Sequence, residues 1–448
     1  MDNSRIYVGL DIGSTSIKVI VAEKAKGQIN VLGVGNVASM GAQRGIIVNI
    51  DKAAKAIRRA ISQAEEKASV QIHRVIVGIP SDLLKIRPCS GMIEISDQSR
   101  EINDEDVRKV TSSAMIKNLP PEREIIDAIP DEFIVDGFDG IQDPRGMVGV
   151  KLEMHGHIIT GPKTIIHNTR KAVHQAGLKI KALEVNPLAE GQILLDDGEQ
   201  EFGTVLIDIG GGQTTAAVIH HHQLKYMTVD HEGGQYITKD ISEVLNTSLE
   251  NAEKLKRDYG YADSLDISKN NEFPVKVVGQ SKPVNVSEKL LSEIIQARLE
   301  QIFGRIKKGL DQVSALDLPG GIILTGGVAA LPGISGLAAD YFDSNVKIYV
   351  PNQMGLRHPS FALPLSLVAY QAQLSQIEKL VRSATLVNVG PSNDNASNAN
   401  NDHKVANVNS NDHEKQPNKV GAHKSENKKR RHRINGEGIK RFFSDFFD

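Results

Sequence analysis

The hydrophobic pattern of this chain changes period several times, and each change marks an element. Tyr7-Val8-Gly9-Leu10 and Lys18-Val19-Ile20-Val21 flank the polar stretch Asp11-Ile12-Gly13-Ser14-Thr15-Ser16, which predicts strand, tight turn, strand. About two hundred residues later, Val205-Leu206-Ile207 and Ala216-Ala217-Val218-Ile219 flank Asp208-Ile209-Gly210-Gly211-Gly212-Gln213-Thr214-Thr215 in the same way. Ala54, Ile57 and Ile61 fall at helical spacing and predict a helix over Asp51–Ala68 that starts on a capping Asp. Val75–Ile79 reads as a short buried strand ended by Pro80. Residues 82–160 read as an inserted α+β subdomain, with a helix near Asp104–Met115 and extended segments around Glu124–Val135 and Val148–Ile159. A helix over Thr164–Ala176 stops at Gly177. Further helices are predicted at Gln235–Leu245 and Leu249–Tyr259. A long amphipathic one covers Ser287–Leu310, with Leu290, Leu291, Ile294, Ile295, Leu299, Ile302 and Phe303 at three- and four-residue spacing. Ile322–Leu324 is a buried strand running into a Gly326-Gly327 turn, and the globular pattern ends near Val387.

Residues 388–427 are rich in Asn, Ser, Asp, Lys and His and almost free of large apolar side chains. Such a segment buries too little surface to fold and is expected to be a flexible linker spanning ~35 Å. The basic run Lys428-Lys429-Arg430-Arg431-His432-Arg433 follows it. Ile439, Phe442, Phe443, Phe446 and Phe447 then occupy one helical face, with Lys440, Arg441, Ser444, Asp445 and Asp448 on the other. Four of the eleven Phe lie in the last seven residues, so this face was not built for the globular core. A helix this short needs a surface to fold on. Anionic membrane lipid fits best, with the Phe face in the acyl boundary and each nearby Lys or Arg adding ~1 kcal/mol. A nucleic-acid patch or a protein groove are the competing readings.

The repeated Gly turns carry candidate chemistry. Glycine lets backbone amides approach phosphate oxygens, and Ser or Thr hydroxyls add donors without bulk. Asp11 and Asp208, one from each copy, would repel phosphate and make sense as holders of the water shell of Mg²⁺. Two such loops suggest a duplicated domain facing one polyphosphate; two ordinary hairpins are the alternative.

The 448 residues suffice for two core-forming lobes. A net charge of −2 gives no global reason to expect nucleic acid as a partner. One cysteine, Cys89, excludes an intramolecular disulfide framework and fits a reducing cytoplasm. With no apolar signal region and no run of ~18 apolar residues, the body is expected to be cytosolic and any membrane contact peripheral. His220-His221-His222 ends a strand, where side chains alternate faces and cannot converge on one metal; a solvated turn is expected.

With these loops, the later Gly326-Gly327 turn, the stretch Val135-Asp136-Gly137-Phe138-Asp139-Gly140-Ile141-Gln142-Asp143-Pro144-Arg145-Gly146-Met147, and Ile237-Thr238-Lys239-Asp240-Ile241 after Gly233-Gly234, the chain resembles the FtsA family of bacterial cell-division proteins, within the actin, Hsp70 and sugar-kinase superfamily. The aromatic amphipathic C-terminus behind a linker is also that family's membrane-targeting signature. The resemblance implies an α/β, actin-like two-lobed ATPase fold with a family-specific insertion. Subdomain 1A would take 1–82, 161–197 and the C-terminal helix in 361–387; 1C 83–160; 2A 198–235 and 303–360; and 2B 236–302. The disordered linker would take 388–435 and the amphipathic membrane-targeting helix 436–448.

By the same resemblance ATP and Mg²⁺ lie between the lobes. Gly13, Ser14, Thr15, Ser16 and Lys18 would form the first phosphate site with Asp11. Gly210, Gly211, Gly212, Gln213 and Thr214 would form the second with Asp208, and Gly234 would adjoin it. Gly326 and Gly327 would flank the adenosine, with Glu253 and Lys256 on ribose and base and Arg257 against the base; a solvated helix face is the alternative for these charges. Thr215 stands where superfamily members often carry an acidic residue, which argues against efficient hydrolysis, so any ATPase activity is expected to be slow. Implied partners are the C-terminal peptide of the tubulin-like FtsZ, bound on 2B through Arg298; further copies of the chain in an actin-like polymer; membrane lipid; and other divisome proteins. The implied place is the cytoplasmic side of the cell membrane at the division site. A sugar or metabolite kinase and an actin-like pilus or secretion scaffold are the alternatives, though neither uses the linker and Phe helix.

Overall fold

The computed structural model describes residues 5–95, 100–116, 119–265, 267 and 271–387. Residues 388–435 and the tail residues Ile439, Lys440, Arg441, Phe442, Phe443, Phe446 and Phe447 lie outside the described residues.

Two five-stranded sheets share one plan. In the first, Arg5–Ile12, Ser16–Ala25 and Gln28–Ala38 form an antiparallel meander, and Arg74–Ile79 and then Lys179–Val185 add parallel on the other side. In the second, Thr204–Ile209, Thr214–His220 and Gln223–Asp230 form the meander, and Ile322–Thr325 and Val346–Ile348 add parallel. The duplication inferred from two Gly turns is thus a duplication of whole sheets.

Each sheet has a helix pressed against it, and small residues set the distance. The helix Ile50–Ala68 buries Ala53, Ala56, Ile57, Ala60, Ile61 and Ala64. A Cβ added to Gly35, on the adjoining strand, would lie 1.9 Å from the Ala60 carbonyl oxygen, so Gly there permits the contact. This helix begins one residue earlier than expected. Its cap is Asn49, whose Oδ1 accepts from the Lys52 N–H at 2.9 Å, while Asp51 sits in the first turn. The strand period explains how the second sheet joins both lobes. Val205, Ile207 and Ile209 face the second-lobe core, with Ile294, Ile302 and Phe303 of the helix Glu288–Asp311. Leu206, Ala217, Ile219 and Ile323 point to the opposite face and merge with the first-lobe core. That long helix runs unbroken across position 302 within one apolar core, so the boundary placed there divides a single helix.

The insertion is a four-stranded sheet, Lys85–Glu94, Lys151–Pro162, Arg123–Val135 and Phe138–Ile141 in that order, with the helix Asp104–Met115 packed on it. Asn103 caps this helix in a capping box with Asp106, and Cys89 is buried in this core. The C-terminal segment differs from its expectation. It is two helices, Ala362–Gln373 and Gln376–Val387, broken at Leu374. The first packs in the first lobe, whereas Ile377, Leu380, Val381 and Ala384 of the second complete the core of the insertion. The histidine run makes a turn with His221 and His222 at positive φ, and His221 faces Glu201 at 3.2 Å.

Candidate functional site

The two Gly turns close identically. The Gly13 N–H donates to Ser16 O at 3.1 Å, and the Gly210 N–H to Gln213 O at 3.0 Å. Across the first hairpin Asp11 stands opposite Lys18; across the second, Asp208 stands opposite Thr215. The turns also touch each other. A Cβ on Gly211 would lie 2.4 Å from Thr15 Cγ2, and one on Gly212 would lie 2.4 Å from Ser14 Oγ. Glycine is required here for contact between the lobes.

Other segments complete the walls. The Gly45 N–H donates to Ser14 Oγ at 2.8 Å, and Arg44 Nη2 donates to the Tyr236 hydroxyl at 2.9 Å, spanning the lobes. The Gly234 and Gln235 N–H groups donate to Gly210 O and Gly211 O at 2.9 and 2.7 Å. Gly326 has φ +90°, and a Cβ there would lie 2.2 Å from Asp208 Oδ1, so only glycine fits. Gly327 adjoins Ser360 with room to spare.

Charge gathers at the base of the cleft. Lys18 Nζ lies 3.4 Å from Asp11 Oδ2, with both side chains about nine-tenths buried. Burial raises the Asp11 carboxyl against the pull of Lys18. Burial, then the nearby Asp11 charge, pushes Asp208 up to about 6 against Lys18. A third carboxyl joins them. Glu190 sits on the helix Asn186–Leu194, which Gly191 lets approach Ile219 of the second hairpin. Glu190 is raised well above the usual range by burial, then by Asp208 and Asp11. Its Oε1, and Gln213 Oε1, are buried without a hydrogen-bond partner among the described groups. Among the described residues no group of three or more His, Cys, Asp or Glu side chains is arranged to ligate a metal directly, so a divalent cation over Asp11, Asp208 and Glu190 would have to be held through its water shell. Glu190 was not among the residues expected from the sequence; the signal was a single charged side chain in the helix Asn186–Leu194. Nor was His358, which caps Ser360 and is held below its ordinary value by burial, then Lys18 and Arg257.

Glu253 and Lys256 sit at the cleft wall, tied to each other and to the helix that starts at Gly234. Lys256 Nζ bonds Gly234 O at 2.8 Å, Thr238 Oγ1 at 2.7 Å and Glu253 Oε2 at 2.6 Å, which uses all three of its donors. It braces two helices. Burial lowers Lys256 against the pull of Glu253. For Glu253 burial works upward, but Lys256, Thr238 and Arg257 outweigh it and hold the carboxyl low. The Arg257 Nε donates to Glu253 at 2.7 Å while the guanidinium stays largely exposed.

Arg298, expected to meet the FtsZ peptide on 2B, is turned into the protein. It is 5 % exposed. Its Nε and Nη2 donate to the two Asp240 oxygens at 2.6 and 2.9 Å, and Nη1 donates to Glu232 at 2.8 Å and to Gln301 at 2.9 Å. The reason is the helix face: position 298 points inward with Ile295, Leu299 and Ile302, and two carboxylates meet it there. Through Glu232, whose carbonyl accepts from Thr214 Oγ1, Arg298 supports the second Gly turn.

Residues 205–366 match the family model for cell division protein FtsA, and residues 82–160 match the SHS2 domain inserted in FtsA. The chain is similar to the cell division protein FtsA of Enterococcus hirae (56 % identity over 384 residues, 86 % of this chain and 87 % of that one). It is also similar to that of Bacillus subtilis (40 % identity, 84 % and 86 % of the two chains). Among solved structures it shares a fold with a PilM–PilN type IV pilus biogenesis complex (TM-score 0.56, 17 % identity, 82 % of this chain and 99 % of that one). It also shares the fold with MreB5 of Spiroplasma citri bound to ADP (TM-score 0.51, 12 % identity, 84 % and 98 %). The architecture is therefore actin-like.

Proposed function

This chain belongs to the FtsA family of cell-division proteins, and from that premise we propose that it is an ATP-binding scaffold that links FtsZ filaments to the membrane. One observation carries the nucleotide reading: two equivalent Gly turns, one per lobe, interlock over buried Asp11, Asp208, Glu190 and Lys18. ATP would lie between the turns, its phosphates on the amides of Gly13–Ser16 and Gly210–Thr214 and its adenosine beside Gly326, Gly327 and Arg257. Mg²⁺, held through water by Asp11 and Asp208, would neutralise phosphate charge. Lys18 balances Asp11 and would reach the phosphates, and the unpartnered Glu190 Oε1 would accept from a water there. Because the turns come from different lobes, bound nucleotide would fix the lobes in one relation, and that closed state would be the one that polymerises.

The tail supplies the second half of the reading. Lys440 and Arg441 complement anionic lipid, and Ile439, Phe442, Phe443, Phe446 and Phe447 would insert. One short helix binds reversibly, so polymer and membrane would reinforce each other. The FtsZ C-terminal peptide would dock on the 236–302 region, where Arg298 acts from beneath by holding Asp240 and Glu232, and other divisome proteins would gather on the assembly. Sedimentation with anionic liposomes, with and without ATP·Mg, tests this by comparing the full chain with one ending at Asn435. Lipid-dependent pelleting of the full chain alone, increased by ATP·Mg, is expected. If both chains stay in solution, the tether is wrong.

A further inference from the structure

The second C-terminal helix carries a buried guanidinium across a subdomain seam. Arg382, on Gln376–Val387, packs with the insertion, yet its Nη1 donates to Glu184 Oε2 at 2.9 Å on the first-lobe strand Lys179–Val185. The same Nη1 lies 3.1 Å from Asp127 Oδ2, on the insertion strand Arg123–Val135. Nη2 donates to the Tyr370 hydroxyl of the first-lobe helix, whose Gln371 also donates to Glu184. Asp127 and Glu184 are 2 % and 1 % exposed. The arrangement is under-satisfied: among the described residues, Asp127 Oδ2 and Arg382 Nε are buried without a hydrogen bond.

We propose that Arg382, shared between Asp127 of the insertion and Glu184 of the first lobe, is a latch that sets how tightly the inserted subdomain is held, and that one proton on this trio closes it. This goes beyond the scaffold reading and does not depend on nucleotide or lipid. One guanidinium cannot neutralise two carboxylates in a water-poor seam, so the anionic form of the trio places a net negative charge where it is poorly solvated. The groups facing Asp127 are Arg382 and Glu378 from the C-terminal helix, Glu184 from the first-lobe strand, and the Ala128 N–H, which donates to Asp127 Oδ1. Tyr370 faces Arg382 from the other side. Burial raises Asp127 to about 7, opposed by Arg382 and aided by Glu184 and Glu378; burial likewise raises Glu184. Because these folded values exceed the unfolded ones, the contribution is full at low pH and is lost as pH rises through neutrality. Above that point the two carboxylates repel across the seam. The segment released is the one that leads into the linker at 388.

Hydrogen exchange on the full-length protein between about pH 5 and 8, corrected for intrinsic rates and expected to level off above about 7, tests the latch. The peptides to follow cover 123–135 and 376–387, with 50–68 as internal control. In the wild type, opening of the two seam peptides should rise with pH, by at most about tenfold per unit for one proton, while the control stays flat. Asp127→Asn, nearly isosteric, should abolish that slope and hold the seam at its low-pH protection. Glu184→Gln should move the transition to lower pH, since it removes a charge that raises Asp127. An unchanged slope in Asp127→Asn, or a wild-type seam without pH dependence, overturns the proposal. Arg382→Met should open the seam at every pH; if it does not fold, the two carboxyl variants still decide.

Discussion

Lys18 and Asp11 face each other across the first hairpin at 3.4 Å, while the matching pair in the second hairpin is Asp208 and Thr215. One duplicated turn therefore carries a cation and the other a neutral hydroxyl, so the cleft is asymmetric in charge although symmetric in backbone. If nucleotide binds as proposed, Lys18 would serve Asp11, Asp208 and the polyphosphate together.

Lys18→Met should therefore weaken ATP binding by about tenfold or more, the scale of one charge-assisted hydrogen bond. Titration with a fluorescent ATP analogue reads this directly. Unchanged affinity would remove Lys18 from the phosphate site.

Gly212→Ala puts a methyl group 2.4 Å from Ser14 Oγ and should keep the two turns from nesting. Nucleotide affinity should drop by about tenfold or more. Gly336→Ala is the matched control: a Cβ there meets nothing within 4 Å, and the residue is helical. That change should raise stability by about 0.5–1 kcal/mol and leave binding alone. Equal effects of the two variants on affinity would contradict the interlock.

Asp208 ties stability to pH. Its folded value, about 6, lies above the ordinary 3.8. Its contribution is thus full below the unfolded value and is lost as pH rises through about 6. Between the unfolded value and neutral pH the nucleotide-free protein should lose on the order of 3 kcal/mol from this group, about half of it above pH 5. Asp208→Asn should flatten that part of the Tm profile and raise Tm at pH 7.5, while abolishing the Mg²⁺-dependence of nucleotide binding. Differential scanning calorimetry across pH 5–8 checks the first outcome, and binding titrations with and without Mg²⁺ check the second.

Arg298→Met strands Asp240 and Glu232 in a buried setting and should cost about 3 kcal/mol. Thermal denaturation should show a loss of several degrees, and Asp240→Asn in the same chain should restore part of it, since the two changes are coupled. FtsZ-peptide binding should fall only in proportion to the loss of fold; a loss of binding at unchanged Tm would instead make Arg298 a direct contact.

The sequence by itself determined whatever depends on near neighbours. Strand alternation and a Gly turn are encoded within about a dozen residues, so both hairpins, the Leu249–Tyr259 helix and the helix Asp104–Met115 were legible where the structure has them. So was the pairing of Asp11 with the turn that follows it. Periodicity says which side of an element is apolar and is silent on what that side meets. Glu190 became part of the cleft only because its helix packs on a hairpin that begins later in the chain. Arg298 read as a contact for the FtsZ peptide because its partners lie 58 and 66 positions away. The helix Gln376–Val387 read as part of the first lobe because nothing local announces that its apolar face completes the core of an insertion starting near residue 83. Those placements are long-range burial and charge pairing, decided when distant surfaces exclude water together, and only the tertiary structure holds them.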